Sequence, residues 1–192
     1  MDIDVSRLPQ LNMDLAGWND RHRASAPDFT PDSLLVSTAL NLPPGRALDL
    51  ACGAGRNALW LAECGWSVTA VDGSPVAIDI LRGEAARRNL AIDSRIADLE
   101  RGEYTIEPRS WDLITMCRYL QRDLFEIAKS GVVPGGLVIA IVLVVDRERT
   151  KYRLNPGELL HYFEGWAILQ SYEAAASEHG PLAGIAARRP NP

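Results

Sequence analysis

The residues best suited to chemistry are the run Leu48–Asp49–Leu50–Ala51–Cys52–Gly53–Ala54–Gly55–Arg56–Asn57 and one acid beyond it, Asp72. An apolar strand ends in a glycine turn, and a helix opens directly after it. Glycines let backbone approach a ligand closely, and the first turn of a helix offers unpaired N–H groups. Asp72 stands 19 residues after Gly53, at the end of the next apolar run. An acid there can accept both hydrogens of a ribose diol.

The turn alone leaves two nucleotide classes open. Gly53–Ala54–Gly55–Arg56–Asn57–Ala58 fits the G-x-G-x-x-A form of a dinucleotide fingerprint. Asp49 argues the other way. A carboxylate at the end of the first strand repels a pyrophosphate and attracts an ammonium group. S-adenosylmethionine carries an ammonium and a sulfonium and no phosphate, so electrostatics favour it over NAD.

The rest of the chain must position these residues. Its 192 residues, 47% hydrophobic and 23% charged, fit one α/β domain. No apolar run reaches the ~18 residues of a membrane span. No basic segment followed by an apolar run opens the chain, so no secretory leader is expected. The net charge of −5 argues against nucleic acid as a partner. Cys52, Cys64 and Cys117 are odd in number and widely spaced, which fits reduced thiols in the cytoplasm and neither a disulfide frame nor a metal site.

Residues 1–30 read as a polar N-terminal arm holding a short helix over Asp14–Ala24, and residues 31–192 as the binding domain. A helix near Ser33–Leu40 stops before Pro43–Pro44–Gly45. Strands are expected at Ala47–Ala51, Ser67–Val71, Ser94–Ala97, Trp111–Met116 and Leu137–Val145. The first helix between them, Arg56–Cys64, turns Ala58, Leu61 and Ala62 inward. The second runs from Ser74–Pro75 to about Asn89, with Ala77, Ile80 and Leu81 inward. The third, Asp123–Lys129, buries Leu124, Ile127 and Ala128. Asn155–Pro156–Gly157–Glu158 reads as a capping box before a helix Glu158–Phe163. Ala167–Ala174 and Leu182–Ala187 close the chain as a strand pair. The expected fold is α/β: a single-domain, Rossmann-like, doubly wound and mostly parallel seven-stranded sheet with an antiparallel C-terminal strand.

On these motifs the chain resembles the class I S-adenosylmethionine-dependent methyltransferases, and within them the tellurite-resistance TehB-like branch. Leu48–Asn57 is similar to the branch's L-D-L-G-C-G-x-G-R-N, with Ala51 for the first glycine. Val71–Asp72, Ala97–Asp98–Leu99 and Val133–Pro134–Gly135–Gly136 resemble its later strand ends and turn. Gly157–Leu160 with Tyr162–Trp166 is similar to its G-E-L…Y-Y-E-G-W segment, which is the most specific to the branch.

The resemblance implies roles. Gly53 and Gly55 would line the methionine part of the cofactor, and Asp49 would act directly or through water near its amino group. Asp72 would hold the ribose hydroxyls. Asp98 would meet the adenine amino group, with Ala97 and Leu99 beside the ring. Ala51, Asn57, Gly73 and the backbone of Cys117 complete the cofactor set. Arg118 and Tyr119 would position a substrate, with Trp18, Arg21 and His22 folding over the site from the arm. No metal is implied. In the branch, a longer loop with His and Arg joins the last two strands. Here it is Ser177–Glu178–His179–Gly180, so the resemblance does not carry tellurite over as the acceptor.

The implied activity is methyl transfer to a small molecule with a soft or ionised nucleophile (a thiol, a chalcogen oxyanion or similar), which needs orientation and a dry site more than a strong base. The expected partner is that small molecule alone, with the protein a monomer or homodimer. The rival readings are an NAD(P)-binding oxidoreductase and a module that holds S-adenosylmethionine without using it. The run Asp146–Arg153, including Tyr152 and Arg153, reads as an exposed connection, with part of a lid as the alternative.

Overall fold

The computed structural model describes residues 14–145, 152–175 and 180–191. In chain order its elements are α1 Leu15–Ala24, α2 Ser33–Ala39, β1 Arg46–Leu50, α3 Arg56–Glu63, β2 Ser67–Asp72, α4 Pro75–Arg87, β3 Ile92–Ile96, β4 Trp111–Cys117, α5 Arg122–Gly131, β5 Val132–Leu143, α6 Glu158–His161, β6 Ala167–Ala175 and β7 Leu182–Arg188. The strands form one seven-stranded sheet in the order β3-β2-β1-β4-β5-β7-β6. The first five are parallel, and β7 runs antiparallel between β5 and β6. This is the expected Rossmann-like architecture.

Residue types explain the layering. β5 contributes alternate residues to two cores. Val138, Ala140 and Val142 face one, and Leu137, Ile139, Ile141 and Leu143 face the other. An unbroken aliphatic strand must be covered on both faces. Leu35, Leu59, Ile78 and Leu81 of α2, α3 and α4 cover one side. Phe125, Leu159 and Phe163 cover the other, with Ile106 from the helix-free crossover between β3 and β4.

Several sequence-based expectations need correction. In three helices two of the expected inward residues are buried and one is not. Ala62 is only half-buried and Leu59 takes its core place, while Ile78 and Ala85 are buried rather than Ile80. Ile127 is 43% exposed, and Phe125 fills the core beside Leu124 and Ala128. A 3.6-residue period places neighbours 100° apart, so short helices leave this choice to tertiary packing. β5 begins at Val132, which pairs with Trp111 before the register shifts at Leu113, so Pro134–Gly135–Gly136 lies within the strand. Gly136 is needed there because a Cβ would stand 2.8 Å from the Asp112 carbonyl oxygen. The capping box is half made. Glu158 accepts the Asn155 N–H at 2.9 Å, but left-handed Gly157 precedes the helix and Pro156 lies outside it.

β1 is the strand from which the chain winds in both directions, pairing with β2 on one side and β4 on the other. In such sheets the crevice beyond the carboxyl ends at this reversal is where ligands bind.

Candidate cofactor and acceptor site

A cavity of about 650 Å³ opens at that crevice. Its floor is the tips of β1, β2 and β4, and its roof is α1. Backbone bonds shape the turn after β1: the Cys52 N–H donates to the Val71 carbonyl and the Gly55 N–H to the Cys52 carbonyl, both at 3.0 Å. Ala51 and Gly53 sit in the left-handed region, at φ +51° and +56°. A Cβ on Gly53 would meet nothing nearer than His22 Cε1 at 3.7 Å, so this glycine opens the floor toward the roof.

Asp72 stands at the centre. Its Oδ2 accepts the Gly53 N–H and its Oδ1 the Ser74 N–H, each at 2.8 Å. Each oxygen keeps a second lone pair for a ligand hydroxyl. Burial raises its pKa, opposed by these two bonds and by His22.

Asp49 lies beneath the floor, 1% exposed and outside the cavity lining. Burial pushes it up to about 7, against the pull of Arg56 and the Ala58 N–H. Its Oδ2 is buried without a hydrogen-bond partner. An orphaned buried carboxylate oxygen suits a cationic ligand above it and disfavours a pyrophosphate.

The roof is held lightly. Asp14 caps α1 by accepting the Gly17 N–H at 2.9 Å, yet no residue of the helix is buried. It docks through Ser74 Oγ, which donates to Asn19 Oδ1 at 2.5 Å, and through Leu15 against Gly73. From this helix Trp18, Arg21 and His22 line the cavity. Arg21 lies 5.5 Å from the Trp18 ring centre, and the Trp18 and His22 rings are 6.3 Å apart. Burial lowers the His22 pKa, so its ring is neutral near pH 7 despite Asp72.

At the tip of β4, Cys117, Arg118 and Tyr119 line the opposite wall. The Cys117 thiol lies 3.3 Å from Thr115 Oγ1, and burial pushes it up to about 12. The Tyr119 hydroxyl donates to Gln121 Oε1 at 2.8 Å, and burial raises its pKa. Asp98, Leu99 and Gly73 complete the wall on the β2 side. Asp98 is partly used, since its Oδ1 accepts the Glu100 N–H at 3.0 Å.

Besides Asp49, three more residues expected at the cofactor lie behind the lining. Gly55 is a packing glycine: at φ +87° it starts α3, and a Cβ would fall 2.2 Å from Leu81 Cδ1. Asn57 is buried and accepts the Asp32 N–H at 2.9 Å, which anchors the segment entering α2. Ala97 is core, with its N–H on the Asp72 carbonyl. Sequence reasoning missed Cys52, Arg56, Ile80 and Glu100, which do line the cavity, and Tyr152, from the run weighed as connection or lid, lines it too, while residues 146–151 of that run lie outside the described residues. Arg56 had a signal, since it follows the glycine turn directly. The others reach the cavity through packing and loop geometry. Arg153, beside Tyr152, is buried and donates to the Val144 carbonyl at 3.0 Å. His161 is on the surface against Glu164, and His179 lies outside the described residues.

Comparison with known proteins agrees with this geometry. Residues 47–136 match the methyltransferase domain family. The probable S-adenosyl-L-methionine-dependent methyltransferase TehB of Haemophilus influenzae strain 10810 is 35% identical over 76% of this chain and 54% of its own length. The ubiquinone biosynthesis O-methyltransferase of Methylocella silvestris is 32% identical over 64% of this chain and 48% of its own. The chain spans about half the length of these curated relatives. The crystal structure of TehB from Haemophilus influenzae superposes with a TM-score of 0.71 at 23% identity, over 82% of this chain and 62% of that one.

Proposed function

We infer that this chain, a class I methyltransferase-domain protein similar to TehB, binds S-adenosylmethionine and moves its methyl group to a small molecule. The observation that carries the reading is the paired acid arrangement. Asp72 is locked over the glycine turn with lone pairs to spare, and Asp49 leaves an orphaned buried oxygen below it. Together they suit a ligand with a ribose diol at one end and a positive charge at the other.

The residues present fit that cofactor. Asp72 would take the ribose hydroxyls. Asp98 and Leu99 would flank the base. Ala51, Gly53 and Gly73 would border it with backbone, and Asp49 would favour its positive end. The cofactor, when bound, supplies an already activated methyl group on a sulfonium. The protein's part is then to orient the acceptor and keep water out. Trp18, Arg21 and His22 of the N-terminal arm roof the cavity, and Arg118 and Tyr119 face the remaining space. A cavity of about 650 Å³ leaves room beside a nucleoside for a small acceptor only.

Thermal shift and calorimetry with S-adenosylmethionine, S-adenosylhomocysteine, NAD and NADP test the reading, since a ligand of the native state raises its melting point. Stabilisation by the first two is expected, and stabilisation by a nicotinamide cofactor alone would overturn it. Transfer of a tritiated methyl group then separates an enzyme from a module that only holds the cofactor.

A further inference from the structure

We propose that the acceptor is a small organic carboxylate, anchored by Arg118 with Arg21 beside it. This rests on the methyltransferase reading and extends it to the substrate class. Arg118 follows β4 in the left-handed backbone region, at φ +61°. A side chain other than glycine or asparagine is uncommon there, and such strain gathers at ligand clamps. Its N–H is fixed on the Ile141 carbonyl at 2.6 Å, which holds the distorted tip in register. The side chain is exposed, lines the cavity, and makes no hydrogen bond or ion pair among the described residues.

The surrounding charges agree. Arg21, half-buried on the roof, is close enough for Arg118 to lower its pKa, with burial the larger cause. Two guanidinium groups lining one space favour an anion there. Of the acids on this side, Asp28 lines the same cavity, accepts the Thr30 N–H and feels the charge of Arg118 without an ion pair to it, and Asp32 accepts the Leu34 N–H and pairs with Arg56 at 3.6 Å. Arg56, on the first turn after the glycines, is another cation of the lining and is already paired with Asp32. A guanidinium fork matches a carboxylate in shape as well as charge.

The chemistry also suits an acceptor that arrives ionised. The two protonated groups beside Arg118 are tied up, Tyr119 on Gln121 and Cys117 on Thr115. A carboxylate needs no base. One of its oxygens donates a lone pair to the methyl carbon, the carbon–sulfur bond breaks with its electrons staying on sulfur, and a neutral methyl ester leaves beside a neutral thioether. No proton moves.

The test is binding, measured by calorimetry with S-adenosylhomocysteine saturating. The probes are acetate, benzoate, the amide of each, and selenite as an oxyanion that is not a carboxylate. Wild type should bind benzoate about ten-fold or more tightly than benzamide, with the preference falling as salt rises. Arg118→Gln should abolish that preference, and Arg118→Lys should restore part of it. Arg118→Gln should keep its affinity for S-adenosylhomocysteine within about three-fold, because the proposal puts the acceptor's carboxylate, and not the cofactor's, on Arg118. Equal binding of acid and amide overturns the proposal, as does absence of benzoate binding or a preference for selenite. A ten-fold loss of S-adenosylhomocysteine in Arg118→Gln overturns it too. Failure of wild type to bind S-adenosylhomocysteine removes the underlying methyltransferase reading instead, and the proposal with it.

Discussion

Asp72 and Gly53 meet across two loops: the carboxylate at the tip of β2 accepts the backbone N–H of the turn after β1 at 2.8 Å. The acid thus shapes the turn it stands above. A ligand that uses Asp72 meets a group already oriented by two N–H donors, with little rotamer freedom left to lose.

Asp72→Asn separates these two duties. The amide keeps one acceptor oxygen but brings a donor toward either the Gly53 or the Ser74 N–H, and it loses the charge. Affinity for S-adenosylmethionine should fall by about 10- to 100-fold, or about 1.5–3 kcal/mol, as expected for losing a charge-assisted hydrogen bond. Calorimetry reads the change, and an unchanged affinity would remove Asp72 from the site.

The glycine turn and the acid Asp72 were legible in the sequence because they are local signals, each tied to a strand end, while the bonds from the Gly53 and Ser74 N–H groups to Asp72 were not. α1 was legible too, since its cap Asp14 and polar face stand in one short run. Other parts were not. The reason for Gly55 is Leu81, 26 residues away on another helix. The left-handed backbone of Arg118 depends on Ile141 of β5. Phe125 takes the core place expected of Ile127 because Tyr162 stacks on it and Phe163 meets it edge-on, with ring centres at 4.5 and 6.0 Å. Such pairings arise between elements, and one-dimensional periodicity does not contain them.

Gly55→Ala should destabilise the fold. The new methyl collides with Leu81 Cδ1, and the residue keeps φ +87°. Overpacking and a left-handed alanine together cost about 2–4 kcal/mol. Adding Leu81→Ala should recover the steric part and leave the backbone part. Urea denaturation of the single and double variants measures both, and additive losses would show that the two side chains do not meet.

Arg122 and Glu158 tie α5 to α6, with Nε to Oε1 at 2.7 Å. The Arg122 guanidinium and the Asn155 N–H hold Glu158 down to about 2. A depressed carboxyl stabilises the fold above its unfolded pKa and loses that stabilisation as pH falls toward 2. The pair is partly exposed, so Glu158→Gln should cost only about 1 kcal/mol at pH 7. The difference between variant and wild type should shrink below about pH 4. Denaturation midpoints at pH 7 and pH 3 check this, and an equal loss at both would point to packing instead of charge.

Asp49 gives the opposite sign. Its carboxyl is raised by burial to about 7. A raised carboxyl favours the fold fully below its unfolded pKa, near 4, and that contribution is lost as pH climbs through 7. The span of about three pKa units corresponds to up to about 4 kcal/mol. Asp72, also raised, acts in the same direction and is left untouched by Asp49→Asn. The variant should therefore show a flatter decline in stability between pH 4 and 7. Ligand binding should follow the same proton. A cationic ligand prefers the ionised form, so affinity for S-adenosylmethionine should rise from pH 5 to pH 7 by about ten-fold or more and then level off. In Asp49→Asn that rise should largely disappear, leaving the weaker trend from Asp72. Calorimetry across this range reads both variants directly. Persistence of the full rise in Asp49→Asn would show that the buried oxygen does not feel the ligand's charge.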